Sequence, residues 1–426
     1  MPRTAPDPTL RQATGVNGDR PAVDLTTLLA GFAVILTATR TNVFLTLTAG
    51  TVVGVALAPM WLRIVGRYRG GRLLLLATVI CVLAGAFLTE LSAVDRETSL
   101  RLMVANSLVV INVAVGVGLL LWARTRMSDP VVAMLFGVGM LVAGTTGGRF
   151  AENPWRFGFS VPLTVLLLAG AWHLGRRALE VVAALALAAV SAANDGRSSF
   201  AMLLLTAVLV LWQALPRATS RASSRLRIVV LAAALGFSLY QLGQGLILDG
   251  YLGESTQQRT AAQMATGGSL LLGARPEAGA TVALMQLRPE GYGSGTLASI
   301  QDVLTAKAGM ADLNYDPHNG YVEIYMFGSG IELHSIAGDL WVLFGIAGLG
   351  LAMLLAWQTG RHVTGALAHR AASGLILFLA VRTLWNLLFS PFYSSVTLLV
   401  LAVGLMLPLL PPRLPGREAG VRAYSE

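Results

Sequence analysis

The chain has 426 residues, 55% hydrophobic and only 12% charged, with a formal net charge of +9 and a mean hydropathy of +0.66. So few charges exclude an ordinary soluble enzyme, whose charged share is about twice this, and so much apolar surface excludes a disordered chain. The apolar runs are continuous rather than alternating, which excludes a transmembrane barrel and fits helices crossing a hydrocarbon core of about 30 Å. The fold class read from this is all-α: a polytopic integral membrane protein.

In chain order, residues 1–22 are polar and lack the charged-then-apolar order of a cleaved signal peptide; they read as a cytoplasmic N-terminus, with the first apolar run kept as a helix. About twelve spans are predicted, nine of them in a first membrane domain over 23–248: 23–38, 42–62, 73–91, 103–123, 131–145, 157–172, 178–193, 199–215 and 228–248. Residues 249–335 form the one long connection, expected to be a partly folded cap with short helices over 256–272 and 297–308, since a connection this long is usually functional. The last three spans, 336–357, 371–389 and 394–410, lie in a second membrane segment over 336–411, and a cytoplasmic tail covers 412–426.

Orientation follows from arginine. The even-numbered connections hold fourteen, from Arg63 to Arg370, against six in the short odd-numbered ones. The positive-inside rule then places both termini in the cytoplasm and the long loop outside. The basic residues sit between apolar runs and form no continuous patch, so nucleic acid is not an expected partner. Cys81 is the only cysteine, which excludes a disulfide or thiol pair within the chain.

The outer side carries the residues able to do chemistry. In NDGRSS, 194–199, Arg197 stands against the charge bias. It reads either as a snorkelling arginine or as an anion clamp, because a guanidinium fork grips phosphate oxygens bidentately. In TGGRFAENPWRFG, 146–158, Arg149 and Arg156 flank a Gly-rich turn that offers backbone N–H groups to an anion or simply forms a polar turn with an Arg–Glu pair. In the long loop, Arg275 and Glu277 precede the glycine turn GYGSG, which lacks the strand-to-helix setting of a dinucleotide site. His318 with Asn319, and His334, lie before the tenth span. Histidine accepts a hydroxyl proton near neutral pH, and the plain alternative is two hydrated loop histidines. Asp339 follows His334 by five residues and meets it only where the chain is non-helical. No spacing supports a metal site. Arg382, inside the eleventh span, reads as facing a ligand, pairing with Asp24 or snorkelling.

Together these pieces resemble the O-antigen ligase and polysaccharide polymerase superfamily. That family carries a histidine, then Asn, Ser or Gln, nine residues, and GxxG or GxxT. Here His334 and Ser335 precede nine residues and then Gly345, Ile346, Ala347 and Gly348. His318 has the His-Asn pair without the spacing. Arg197 in GRSS resembles the family's outer-turn arginine, with Gly196 in place of Ser; Arg275 followed by GYGSG resembles its loop arginine; GRFAENPW resembles its Gly-Arg…Asn-Pro-Asn stretch, with Trp155 in place of the second Asn. The likeness covers about 146–351.

The resemblance implies an all-helical fold similar to the C-type glycosyltransferases, in the bacterial cytoplasmic membrane with its active site on the extracytoplasmic face. It implies transfer of a glycan from an undecaprenyl-diphosphate donor to a hydroxyl of a glycan or glycolipid acceptor. Arg197 and Arg275, assisted by Arg149 and Arg156, would bind the diphosphate and His334 would be the base. His318, Asn319, Asp339 and Arg382 would contact substrate or support these residues. The reaction would invert the anomeric centre, with no metal and no cofactor. The competing reading is a twelve-helix transporter or flippase of lipid-linked glycan. Its support is GRYRGGRLLL, 66–75, which resembles the basic loop of the major facilitator superfamily without its Asp. A scaffold would need no basic cluster beside a histidine.

Overall fold

A computed structural model of the chain describes residues 24–194, 196–215, 227, 236, 275–313, 315–316 and 318–411. The N-terminus 1–22, most of the ninth span, the 256–272 stretch of the loop and the tail lie outside the described residues.

The described chain is mostly helical. Its first element is α1 (Leu25–Thr39). The second expected span differs from a single helix. Residues 42–48 form an antiparallel hairpin, β1 (Asn42–Phe44) with β2 (Leu47–Thr48), followed by two short helices, α2 (Ala49–Ala56) and α3 (Ala58–Val65). The cause of the break is Pro59, in the first turn of α3. It has no N–H to give the Val55 carbonyl, and its ring collides with that carbonyl in a continuous helix. Trp61 Nε1 donates back to Gly54 O at 2.7 Å and ties the two pieces together.

The next helices follow the apolar runs closely: α4 (Gly71–Ser92), α5 (Leu100–Ala123), α6 (Asp129–Thr145), α7 (Ser160–His173), α8 (Arg177–Ala193) and α9 (Arg197–Ala214). In the 275–335 segment lie α10 (Glu277–Leu287) and α11 (Ile300–Ala311). Then come α12 (Ile336–Ala368), α13 (Gly374–Phe389) and α14 (Phe392–Met406). The tenth span was expected to stop near residue 357. Instead α12 continues to Ala368, so Arg361 and His362 lie in the helix rather than in a connection.

Among the described residues, five helices are long and apolar enough to cross a membrane: Gly71–Ser92, Leu100–Ala123, Trp155–His173, Arg197–Ala214 and Ile336–Ala368. The surface of α4 shows what such a helix meets. Leu73, Leu76, Ile80, Leu83, Phe87 and Leu91 recur every three or four residues and are all exposed, while Thr78, Cys81 and Gly85 face inward. Large apolar residues outside and small ones at the helix contact are the arrangement of a helix in lipid. By contrast α5 is buried nearly all round from Val109 to Ala123. It packs on α1, α2, α3, α4 and α14 as the centre of the bundle.

Alternate connections gather at opposite ends. At one end Arg69 N donates to Pro408 O, Arg124 reaches Gly404 O and Asp129, and Gln213 bonds Ala372. At the other, Thr98 bridges Thr296, Asn153 bonds Asn194, and Asp339 accepts from Phe392 N.

Candidate functional site

The 275–335 segment is anchored before it builds anything. Gly345 has φ 60 and ψ −142 and breaks α12. Against this break lies the turn 291–295. Tyr292 N and Gly293 N both donate to Val342 O, Ser294 N to Gly85 O and Gly295 N to Thr89 Oγ1. Gly291 and Gly293 have φ of 96 and 107, and a Cβ on Gly293 would lie 2.4 Å from Thr89 N. These glycines allow close backbone approach. The turn therefore spends these N–H groups on the protein itself.

Next to it, Arg96 grips Asp302 bidentately, Nε at 2.9 Å and Nη2 at 2.8 Å. Arg96 also pairs with Asp95, and Arg288 reaches Asp95 and Glu290. Ser299 and Asp302 close a capping box at the start of α11. Burial alone would push the Asp302 carboxyl up, but hydrogen bonds from Arg96 and Ser299 outweigh it and hold the group below the usual carboxylate range.

The second cluster surrounds His334. A π-helical turn, Val322–Met326, leads into an irregular stretch ending at His334, whose φ of 54 is left-handed, and α12 starts with Ser335 capping Gly338 N. Non-glycine residues seldom occupy this region, His among the less rare. The His334 ring stacks on Tyr321, with centroids 5.9 Å apart and an angle of 27°. Its Nδ1 is buried without a hydrogen-bond partner among the described residues. Tyr321 Oη donates to Glu277 Oε1 at 2.6 Å. Glu277 is 7% exposed, and its Oε2 is buried with no partner. Burial, then the hydrogen bond to Glu277 and its charge, raise the Tyr321 hydroxyl well above its ordinary pKa, and Arg275 opposes them from within electrostatic reach. Burial likewise raises the Glu332 carboxyl, against the pull of His334.

Of the arginines of 146–158, Arg149 comes within electrostatic reach of this cluster. A second π-helical turn, Trp155–Phe159, contains Arg156, and π turns recur at functional sites. Arg149 and Arg156 flank the Phe157 ring at 3.9 and 5.3 Å. Arg149 pairs with Glu152 at 2.9 Å and interacts electrostatically with Tyr325, the neighbour of Tyr321. Asn153 Nδ2 donates to Asn194 O at 3.4 Å, and Trp155 Nε1 to Ser191 Oγ at 3.2 Å, joining this turn to the one before α9. Arg197 does not lie in that turn as expected; it is the first residue of α9. Arg382 Nη1 donates to Ser199 Oγ at 3.3 Å, so it serves the α9 N-terminus and not Asp24, which bonds Thr26.

Asp339 and His318 fall differently from expectation. The chain is non-helical at His334, as a meeting with Asp339 requires. Yet both Asp339 oxygens are taken by backbone, Leu333 N at 2.6 Å and Phe392 N at 2.7 Å. Asp339, 3% exposed, is a clamp between α12 and α14. His318 is exposed on a turn where its N–H donates to Asp316, while Asn319 bonds the Tyr315 hydroxyl and Tyr321 N. Asn319 thus organises the tyrosines beside His334. Sequence reasoning missed Tyr321, Tyr325 and Glu332, none of which carries a spacing signal.

Among the described residues, no group of three or more His, Cys, Asp or Glu side chains is gathered as metal ligands would be. No family model matches the chain, and no curated protein or solved structure matches it.

Proposed function

We propose that this chain is a membrane glycosyltransferase of the O-antigen ligase and polysaccharide polymerase type. In this reading it crosses the bacterial cytoplasmic membrane about twelve times, with 249–335 on the extracytoplasmic face. The observation that carries the reading is the meeting of four segments far apart in sequence. His334 stacks on Tyr321, Tyr321 bonds Glu277 and lies within electrostatic reach of Arg275, Tyr325 lies within electrostatic reach of Arg149, and Asn153 joins Asn194 three residues before Arg197.

The chemistry follows from these groups. The donor is an undecaprenyl-diphosphate-linked glycan, which already carries a good leaving group. Arg275, Arg197, Arg149 and Arg156 bind its diphosphate and stabilise the charge that grows as the C1–O bond breaks. His334 accepts the proton of the acceptor hydroxyl as that oxygen forms the new bond to C1, and the lipid diphosphate departs with the electron pair of the old one. Direct attack inverts the anomeric centre. The acceptor is a glycan or a glycolipid.

The test is transfer from an undecaprenyl-diphosphate glycan by purified protein in proteoliposomes. His334→Ala is expected to lower the rate about 10²–10⁴-fold, the usual cost of losing a general base, and EDTA to leave the wild-type rate unchanged. A fully active His334→Ala, or a wild type silenced by EDTA, overturns the mechanism.

A further inference from the structure

His334 is held on one face only. A histidine that serves as a base is ordinarily fixed through one nitrogen by a carboxylate or carbonyl, leaving the other aimed at substrate. No such acceptor reaches Nδ1 among the described residues. The group that is fixed is the ring beneath it. Tyr321 is pinned at its hydroxyl by Glu277 Oε1, 2.6 Å away, and at its backbone N–H by Asn319 Oδ1, 3.0 Å away. Tyr315 and Tyr325 flank the ring with centroids at 5.9 and 5.6 Å. Glu277 is itself buried in the first turn of α10.

We propose that Glu277 and Tyr321 are a positioning pair: Glu277 holds Tyr321, and the face of Tyr321 sets the plane in which His334 presents a ring nitrogen to the acceptor hydroxyl. The pair rests on the reading of His334 as the base. It replaces the carboxylate that usually orients such a histidine by direct hydrogen bonding with a carboxylate acting one residue removed, through a stacked ring.

The experiment compares transfer kinetics of full-length Tyr321→Phe, Glu277→Gln, Glu277→Leu, the double variant Glu277→Leu/Tyr321→Phe and His334→Ala in proteoliposomes. Tyr321→Phe and Glu277→Leu are each expected to lower kcat about tenfold, with the donor KM within about twofold of wild type. Glu277→Gln, whose amide oxygen still accepts the Tyr321 proton, keeps most of the rate. The double variant is no slower than the worse single one, as residues acting as a unit require. A wild-type kcat in Tyr321→Phe, multiplying losses in the double variant, or a raised KM at unchanged kcat overturns the pair. Where Glu277→Leu does not fold, Tyr321→Phe keeps the ring, removes only the hydroxyl and decides alone. Activity retained by His334→Ala overturns the base reading itself. An inactive His334→Ala beside a fully active Tyr321→Phe leaves that reading standing and removes the pair.

Discussion

Around Arg96 every buried charge faces an opposite one; around His334 a carboxylate oxygen and an imidazole nitrogen are buried facing none. The first cluster joins the α4–α5 connection to α11, with Arg96 6% and Asp302 0% exposed at the side chain; its atoms without a hydrogen-bond partner among the described residues are the Tyr292 and Ser294 hydroxyls and Arg288 Nε, which still faces Glu290 as an ion pair at 3.3 Å. The second leaves Glu277 Oε2 and His334 Nδ1 open. Buried polar atoms are nearly always satisfied, so an open pair beside a left-handed histidine supports the proposal that substrate binds there. The two clusters differ in kind: one fixes the 275–335 segment by paired charges, and in the proposed reading the other receives substrate.

That division can be broken from either side. The largest effect is expected at the lock. Arg96→Ala leaves Asp302 buried and unpaired, which costs about 3–5 kcal/mol. Thermal unfolding in detergent should show the loss, while the transfer rate per folded molecule stays near wild type; a stable Arg96→Ala ends the distinction. Next, Arg275→Lys should lower transfer about tenfold, about the worth of one charge-assisted hydrogen bond, with unfolding unchanged. Loss of stability without loss of rate would move Arg275 to the lock. The smallest effect is in pH. The Asp302 pKa is depressed in the folded protein, so its contribution is complete above the unfolded value of about 3.9 and is lost as pH falls below it, through the folded value. Unfolding followed from pH 6 to pH 3 should show an acid decline that Asp302→Asn flattens; an equal decline in both places the acid sensitivity elsewhere.

The helices were legible because apolar runs long enough to span lipid admit few other structures. The hairpin 42–48 was not, since NVFLTLT is as apolar as a helix and only its β-branched residues hint otherwise. The break at Gly345 was hidden because glycine also serves helix packing, and only the approach of residues 290–293 gives it a left-handed φ. His334 stood out by its spacing to Gly345 and Gly348. Its neighbours did not, because Tyr321 reaches Glu277 across 44 residues and Arg96 reaches Asp302 across 206. For the second pair half a signal existed, the Ser299–Asp302 capping box, which names a buried aspartate without naming its arginine.

The break in α12 has a consequence for depth. Between Asp339 and Arg361 the helix carries 21 residues without a charge, about 32 Å at 1.5 Å per residue, which matches one hydrocarbon core. His334, just beyond Asp339, then lies at headgroup level. Gly345, six residues inside Asp339, lies about 9 Å deeper, and the turn 291–295 that packs on it must descend to the same level. It is a re-entrant segment, and irregular backbone is tolerated there only when enclosed by protein. Residues 291–296 are all buried. The 275–335 segment is thus not a lid resting on the helix bundle but a wedge driven into it, and the His334 cluster is joined through the start of α12 to that buried turn.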